Sequence, residues 1–340
     1  MSKKILMVFL VLCICFSFVF AGGSNEQASG SSLETEIPKP KNFPKKDITV
    51  IVPYAAGGAF DLAVRNLQPI IKERQNVNIV VKNVEGGSGT VGITECVTSK
   101  PDGYTLGLAG RNWVSNIANN IVDIGLEDID YLCGVTADTL ALVVKTDGKY
   151  DDIEDFIEAG KANPGSMTIG SPALNNGNHA CAVMLGKAYG DKDMFNTIPF
   201  SGSSRVMAEI IGGNIDGGSV KLADSINQLK SGECKAILIF SSERSPLIPD
   251  APTLEEVGFE YWPYGDGPFN CNAIIAPPGL DPEIREYLVQ IFADAVNTDQ
   301  FKEYCFGAGA IADPVTGEAM EENIDTLYQT FLTWQETVFN

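Results

Sequence analysis

The chain has 340 residues, 44% of them hydrophobic and 20% charged, which is enough for two domains with full cores. Asp and Glu outnumber Lys and Arg by 44 to 24, for a formal net charge of −20. Such an acidic surface excludes nucleic acid and anionic membrane as natural partners.

The first 21 residues read as a cleavable signal peptide: Lys3 and Lys4 precede an apolar run from Ile5 to Phe20, and Val19 and Ala21 suit signal peptidase. No cysteine follows the cleavage point, where Gly22 stands, so lipid anchoring is disfavoured. Cleavage near Ala21 would make the protein periplasmic. It would also remove two lysines and no acid, so 24 against 44 becomes 22 against 44 and the net charge −22. Six of the eight cysteines would remain, with no CxxC spacing, so a metal centre is unsupported and any disulfide pairing is left open. Residues 22–46 are small, polar and proline-rich, the composition of a flexible linker, and the fold is expected to start at about Asp47.

Four segments then repeat one design. In Ile48 to Ile71, ITVIVPYAAGGAFDLAVRNLQPII, a strand is stopped by Pro53, Gly57-Gly58 supply unusual backbone angles, and Asp61 onward shows helical spacing. Ile79 to Val97, Met167 to Ala188 and Asn196 to Gly213 follow with strand, Gly- or Ser/Asn-rich loop, and helix. Each such loop aims unpaired N–H groups and the positive end of a helix dipole at one point, which suits a carboxylate. Two units precede the middle of the chain and two occupy it, so a cleft between two α/β halves would receive helix N-termini from both sides. With so acidic a chain, recognition must come from these short-range dipoles rather than from a basic patch. Between and after the units, YTLGLAG, LALVVK and CKAILIF read as strands, and DDIEDFIEAGKANPG as a helix ended by Asn163-Pro164-Gly165. In a later helix Asp281 caps, Pro282 takes the first turn, and Ile284, Leu288, Ile291 and Phe292 form the apolar stripe. The alternation predicts mostly parallel sheets.

The stretches IVPYAAGGAFD, NVEGGSGTVG, PDGYTLGL, KANPGSMTIGS, NHACAVMLGKAYG, IPFSGSSRVMAEIIGGNID, SERSPLIPDAPTLEEVGF and IIAPPGLDPEI occur in that order. In them the chain resembles the periplasmic solute-binding receptors of tripartite tricarboxylate transporters, often called Bug proteins, from Asp47 to near the C-terminus. The resemblance implies a two-lobed Venus-flytrap fold of the type II periplasmic-binding-protein class. It implies a small organic carboxylate or amino acid held in the cleft by backbone N–H groups and bridging waters, and delivery to permease subunits without chemistry. No enzyme activity, cofactor or metal is implied. One lobe is expected from about 47–143 plus 243–340 and the other from about 144–242.

By position, the resemblance assigns a first carboxylate clamp to Tyr54, Ala55, Ala56, Gly57, Gly58 and Ala59, with Asp61 at the end of the loop. A second loop would contribute Gly86, Gly87, Ser88 and Gly89. From the opposite lobe, Ser171 with Asn176, Asn178 and His179, and then Phe200, Ser201 and Gly202, would close the site. The chain departs from many relatives at Val84-Glu85, where they carry Arg-Pro, at Ser201, where they carry lysine, and at Arg111, where a small hydroxyl residue is usual. These departures favour a zwitterion or an acid of different size.

Other readings fit less well. Gly87, Gly89 and Gly92 satisfy GxGxxG, but the acid that should bind a ribose about 20 residues on is missing. A secreted hydrolase would need a serine beside His179, the only histidine, and no GxSxG elbow is present. A ligand sensor feeding a membrane signalling system would use the same cleft as a transport receptor.

Overall fold

The computed structural model describes residues 37–241, 243–259 and 271–339. The expected signal segment 1–21 and residues 22–36 of the expected linker lie outside the described residues.

Three strand–helix pairs open the fold: β1 (Ile48–Val52) with α1 (Ala59–Gln75), β2 (Ile79–Asn83) with α2 (Thr90–Val97), and β3 (Thr105–Ala109) with α3 (Arg111–Ala118). β1 pairs in parallel with both β2 and β3, so the N-termini of all three helices lie at the same end of the sheet. β4 (Asp130–Asp138) follows and runs, with only Thr139 between, into β5 (Leu140–Lys145). The middle of the chain repeats the first design with α4 (Ile153–Ala162), β6 (Met167–Ser171), α5 (Gly177–Ala188), β7 (Phe195–Pro199), α6 (Ser203–Gly212), β8 (Gly217–Lys221), α7 (Leu222–Ser231) and β9 (Cys234–Phe240). β6 is parallel to β7 and β8, which sets the N-termini of α5, α6 and α7 at one end of the second sheet. The chain then returns through β10 (Cys271–Ala276), α8 (Pro282–Val296), α9 (Asp299–Ala308), β11 (Ala310–Ala312) and α10 (Gly317–Thr337).

Strand order is β11-β4-β10-β3-β1-β2 in one sheet and β7-β6-β8-β5-β9 in the other. The sheets are mixed, not mostly parallel as the alternation predicts. The strands that carry the chain between the sheets run against their neighbours: β4 pairs antiparallel with β10 and β11, β5 with β8 and β9, and β10 also with β3. Sheet membership changes at Thr139, so Leu140 to Val143, expected at the end of the first lobe, pair in the second sheet.

The expected linker also ends sooner than its composition indicates. Phe43 is 5% exposed, packs its ring against Tyr104 and Tyr287, and brings Lys45 N–H to the Tyr104 hydroxyl at 2.8 Å. One aromatic side chain among prolines and lysines docks the segment, since burying it stabilises by about 1.5–3 kcal/mol.

Strand alternation divides the core. Val50 and Val52 face Val64, Leu67, Leu288 and Phe292 on one side of the first sheet, while Ile51 joins Trp113, Phe331 and Trp334 on the other. The Asp281 cap and Pro282 open α8 as expected, and Leu288, Ile291 and Phe292 are buried on it. α10 packs on α3 and β4 and also reaches the second lobe, where Lys187 Nζ donates to Thr337 O at 3.4 Å.

Candidate functional site

The first loop is held by one carboxylate. Asp61, 1% exposed, accepts at Oδ2 from Gly57 N–H and Arg65 Nε, both at 2.8 Å, and at Oδ1 from Asn83 Nδ2 at 3.0 Å. Asn83 Nδ2 also donates to Tyr54 O at 3.0 Å. Burial pushes the Asp61 carboxyl up, but the hydrogen bonds from Arg65, Gly57 and Asn83 outweigh it and hold the group below its ordinary range. Asp61, expected in the ligand set, therefore spends its oxygens on its own loop and acts by positioning it. Gly57 sits at φ +81, a conformation closed to most side chains, and Ala55 to Ala59 are exposed.

The second loop packs on the first. A Cβ at Gly89 would lie 3.1 Å from the Tyr54 hydroxyl, and one at Gly92 would lie 2.8 Å from Val84 O. Gly86 and Gly87 also take positive φ, and Ser88 lies in the 3₁₀ turn Gly87–Gly89 that leads into α2. The GxGxxG spacing thus serves the close approach of Tyr54 and of α2 to β1. Burial raises the Tyr54 phenol most; the hydrogen bond to Asn112 lowers it, Asp138 and Asp224 raise it further, and Arg111 lowers it. The net direction is upward, and the causes place charges from both lobes around one hydroxyl.

The two lobes meet at these strand ends. Arg111, 1% exposed at the start of α3, donates from Nη2 to Asn178 Oδ1 on α5 at 3.1 Å, and Asn178 Nδ2 donates to Ser219 O at 3.0 Å. Asn176 Oδ1 caps α5 through His179 N–H at 2.9 Å and accepts from Ser171 Oγ at 3.3 Å. Ser171, Asn176, Asn178 and Arg111 are therefore one connected polar chain. Lys221 Nζ lies 5.2 Å from the centre of the Phe60 ring and is ion-paired with Asp138, which also accepts from Asn272 Nδ2 at 3.0 Å. Lys221 is 9% exposed and Asp138 4%, so this pair ties the end of β8 to the end of β4 at the crossing.

The remaining expected residues separate. Phe200 N–H donates to Ser171 O at 2.8 Å and its ring packs on the second-lobe core, whereas Ser201 is exposed and Gly202 holds φ +139 with open space where a Cβ would be. His179 is engaged by its own helix start and the C-terminal segment: its Nδ1 accepts from Asn175 N–H at 3.1 Å and its ring stacks on Phe339 with centroids 4.9 Å apart. Burial lowers its basicity, and Ser171 Oγ donates to Ala173 O and Asn176 instead, so no serine–histidine couple forms there.

Glycine caps recur at Gly58, Gly89, Gly110 and Gly202, and leave the first turns of α1, α2, α3 and α6 without a side-chain cap. In α2 the Thr90 and Val91 amides already donate to Gly87 O and Gly86 O, so it is the first-turn N–H groups of α1, α3 and α6 that remain available to an anion. Sequence reasoning missed Asn112, Asp138, Lys221 and Asp224. The β8–α7 unit carries no glycine loop, since Lys221 itself precedes α7, and that loop was the signal used for the other four.

Residues 63–324 match the family described as tripartite tricarboxylate transporter family receptor. The protein BugT of Bordetella pertussis is 28% identical over 276 residues, covering 79% of this chain and 82% of that one. A solved TctC solute-binding protein from Polaromonas superposes with a TM-score of 0.69 at 23% identity, over 87% of this chain and 99% of that one. MatC of Rhodopseudomonas palustris, solved with bound malate, gives a TM-score of 0.70 at 22% identity, over 88% of this chain and 100% of that one. The fold is that of these two-lobed solute-binding proteins.

Proposed function

The chain belongs to the tripartite tricarboxylate transporter receptor family, a family of solute receptors and not enzymes, and from that premise we propose that it holds a small organic carboxylate between its lobes and delivers it to the permease of such a transporter. The observation that carries this reading is the set of glycine-capped helix starts, α1 and α3 from one lobe and α6 from the other. A carboxylate entering there replaces lost hydration with preset N–H donors and the positive ends of helix dipoles, at no cost in side-chain ordering. Malate in MatC supplies the size class by analogy. The reading takes two lobes, expected at about 47–143 plus 243–340 and about 144–242, and the pairing of Leu140 to Val143 in the second sheet supports drawing the first crossing back to Thr139. Receptors of this family are periplasmic, and cleavage near Ala21 followed by release is the route to that compartment for this chain. No described helix is long and apolar enough to cross a membrane.

A thermal-shift panel of mono-, di- and tricarboxylates on ligand-stripped protein tests the reading. An acid that binds only the folded protein stabilises it by about 2.7 kcal/mol at a hundredfold excess over Kd. Esters and amides of the same acid should shift the melt far less. A panel in which no acid shifts it, or in which the neutral derivatives shift it equally, rejects a carboxylate receptor.

A further inference from the structure

Helix α3, which follows the first sheet's β3, faces the half built on the second sheet along a single stripe. Arg111, Ser115 and the C-cap Asn119 stand four residues apart, which puts them on one side of the helix. Arg111 Nη2 reaches Asn178 Oδ1 at 3.1 Å. Ser115 Oγ at 3.0 Å and Asn119 Nδ2 at 3.4 Å both donate to one carbonyl oxygen, that of Asn175 in the loop between β6 and α5. Asn175 holds φ +53, a left-handed conformation that fixes the direction of this carbonyl. The end of α10 completes the arrangement. Gln335 Nε2 donates to Ala118 O and, at 3.2 Å, to Asn119 Oδ1, which orients the Asn119 amide with its NH₂ toward Asn175. Past Gln335 the chain rests on α5, where Lys187 Nζ donates to Thr337 O and the Phe339 ring stacks on His179.

We propose that α3 and the end of α10 form a clasp that holds the two halves closed on each other, with Ser115, Asn119 and Gln335 as positioning residues rather than ligand contacts. It rests on the receptor reading for its use, retention of a ligand between the lobes, but the clasp itself needs no ligand. Leu140 at the start of β5 pairs with Phe240 at the end of β9, so the two crossings between the sheets lie side by side and serve as one hinge. Rotation there parts α3 from the β6–α5 loop and lets water take over the Asn175 carbonyl. A neutral hydrogen bond changes an equilibrium constant by only about three- to tenfold, so two of them bias closure and still let it reverse. An apolar seam of the same extent would stay shut.

Spin labels at Lys100→Cys, before β3, and Glu158→Cys, on α4, read the separation of the halves by electron–electron double resonance in ligand-free protein. Both native side chains are exposed, and the described cysteines are buried away from the label. The labelled protein should show a short-distance component that matches the structure. Adding Ser115→Ala with Asn119→Ala should lower the ratio of that component to longer distances by at least about fivefold, whereas Ser115→Thr, which keeps the hydroxyl, should leave it unchanged. Urea unfolding separates this from a purely structural role, which would lower the midpoint and leave the distances alone. A distribution without the short component, or one that the double variant does not change, overturns the clasp. Should the double variant misfold, Gln335→Ala decides, since it leaves α3 intact: it should shift the distances the same way by a smaller amount, and no shift overturns the clasp. The carboxylate reading is untouched by either result, because no ligand is present.

Discussion

Replacing Asp61 by Asn tests whether the first loop is held by a single carboxylate. The variant keeps the shape and one acceptor oxygen, so Asn83 retains its partner, but an NH₂ now faces the N–H of Gly57 and the guanidinium of Arg65. A hydrogen bond to a buried charged group is worth about 1.5–3 kcal/mol, so the lost Gly57 bond and the donor set against donor together cost about 2–3 kcal/mol. The Arg65 contact adds little, because its side chain is 45% exposed. The pH dependence has a definite sign. The folded Asp61 carboxyl lies below its unfolded value, so its stabilisation is present above about pH 4 and is lost as pH falls through the lower folded value. Urea unfolding of both proteins from pH 7 to pH 2.5 should therefore show a gap of about 2–3 kcal/mol at neutral pH that closes in acid. Ligand affinity should fall together with stability, because the Ala59 and Phe60 amides are presented by that loop. Equal stability at neutral pH, or a gap that does not change with pH, refutes the positioning role.

Further tests follow from the packing. Lys221→Met strands a buried Asp138 and should destabilise by about 3–5 kcal/mol in denaturant titration, whereas the double variant with Asp138→Leu should recover most of that loss. Gly92→Val forces a side chain against Val84 O and Pro53, and should lower stability by about 1–3 kcal/mol as read by chemical denaturation. NMR titration of His179 should give a pKa below its ordinary value, so that acid destabilises the fold as the pH falls below about 6.5, while His179→Phe leaves ligand binding within a factor of two. Burial pushes the thiols of Cys96, Cys133 and Cys305 up to about 12 and that of Cys234 to about 11, so a thiol reagent should label these four only after unfolding.

Features that depend on local backbone chemistry were legible in the sequence. Gly57 needs a positive φ, Asp281 and Pro282 open a helix by known preferences, and the strand–loop–helix rhythm gives both halves of the fold. Features made by distant residues were not. Asp138 and Lys221 lie 83 positions apart and look, in sequence, like an ordinary strand end and an ordinary helix start. Phe43 stands in a stretch whose average composition is that of a linker, and only the pocket between Tyr104 and Tyr287 shows why it orders. The antiparallel strands escaped because alternation reports helices between strands but not the strands that carry the chain from one sheet to the other. His179 shows the reverse failure: a lone histidine at a helix start beside glycine and asparagine resembles a site residue, yet its ring is turned onto Phe339.

The central claim is that amides from both lobes grip one carboxylate, and amide chemical shifts during titration with the acid that gives the largest thermal shift test it most directly. The account predicts that the first-turn amides of α1, Ala59 and Phe60, and those of α6, Ser203 and Ser204, shift together and saturate with a single Kd. A cavity of about 350 Å³ bordered by Thr139, Leu222, Phe306 and Ile311 is the contrasting location. Shifts confined to its lining, or to one lobe alone, contradict the account.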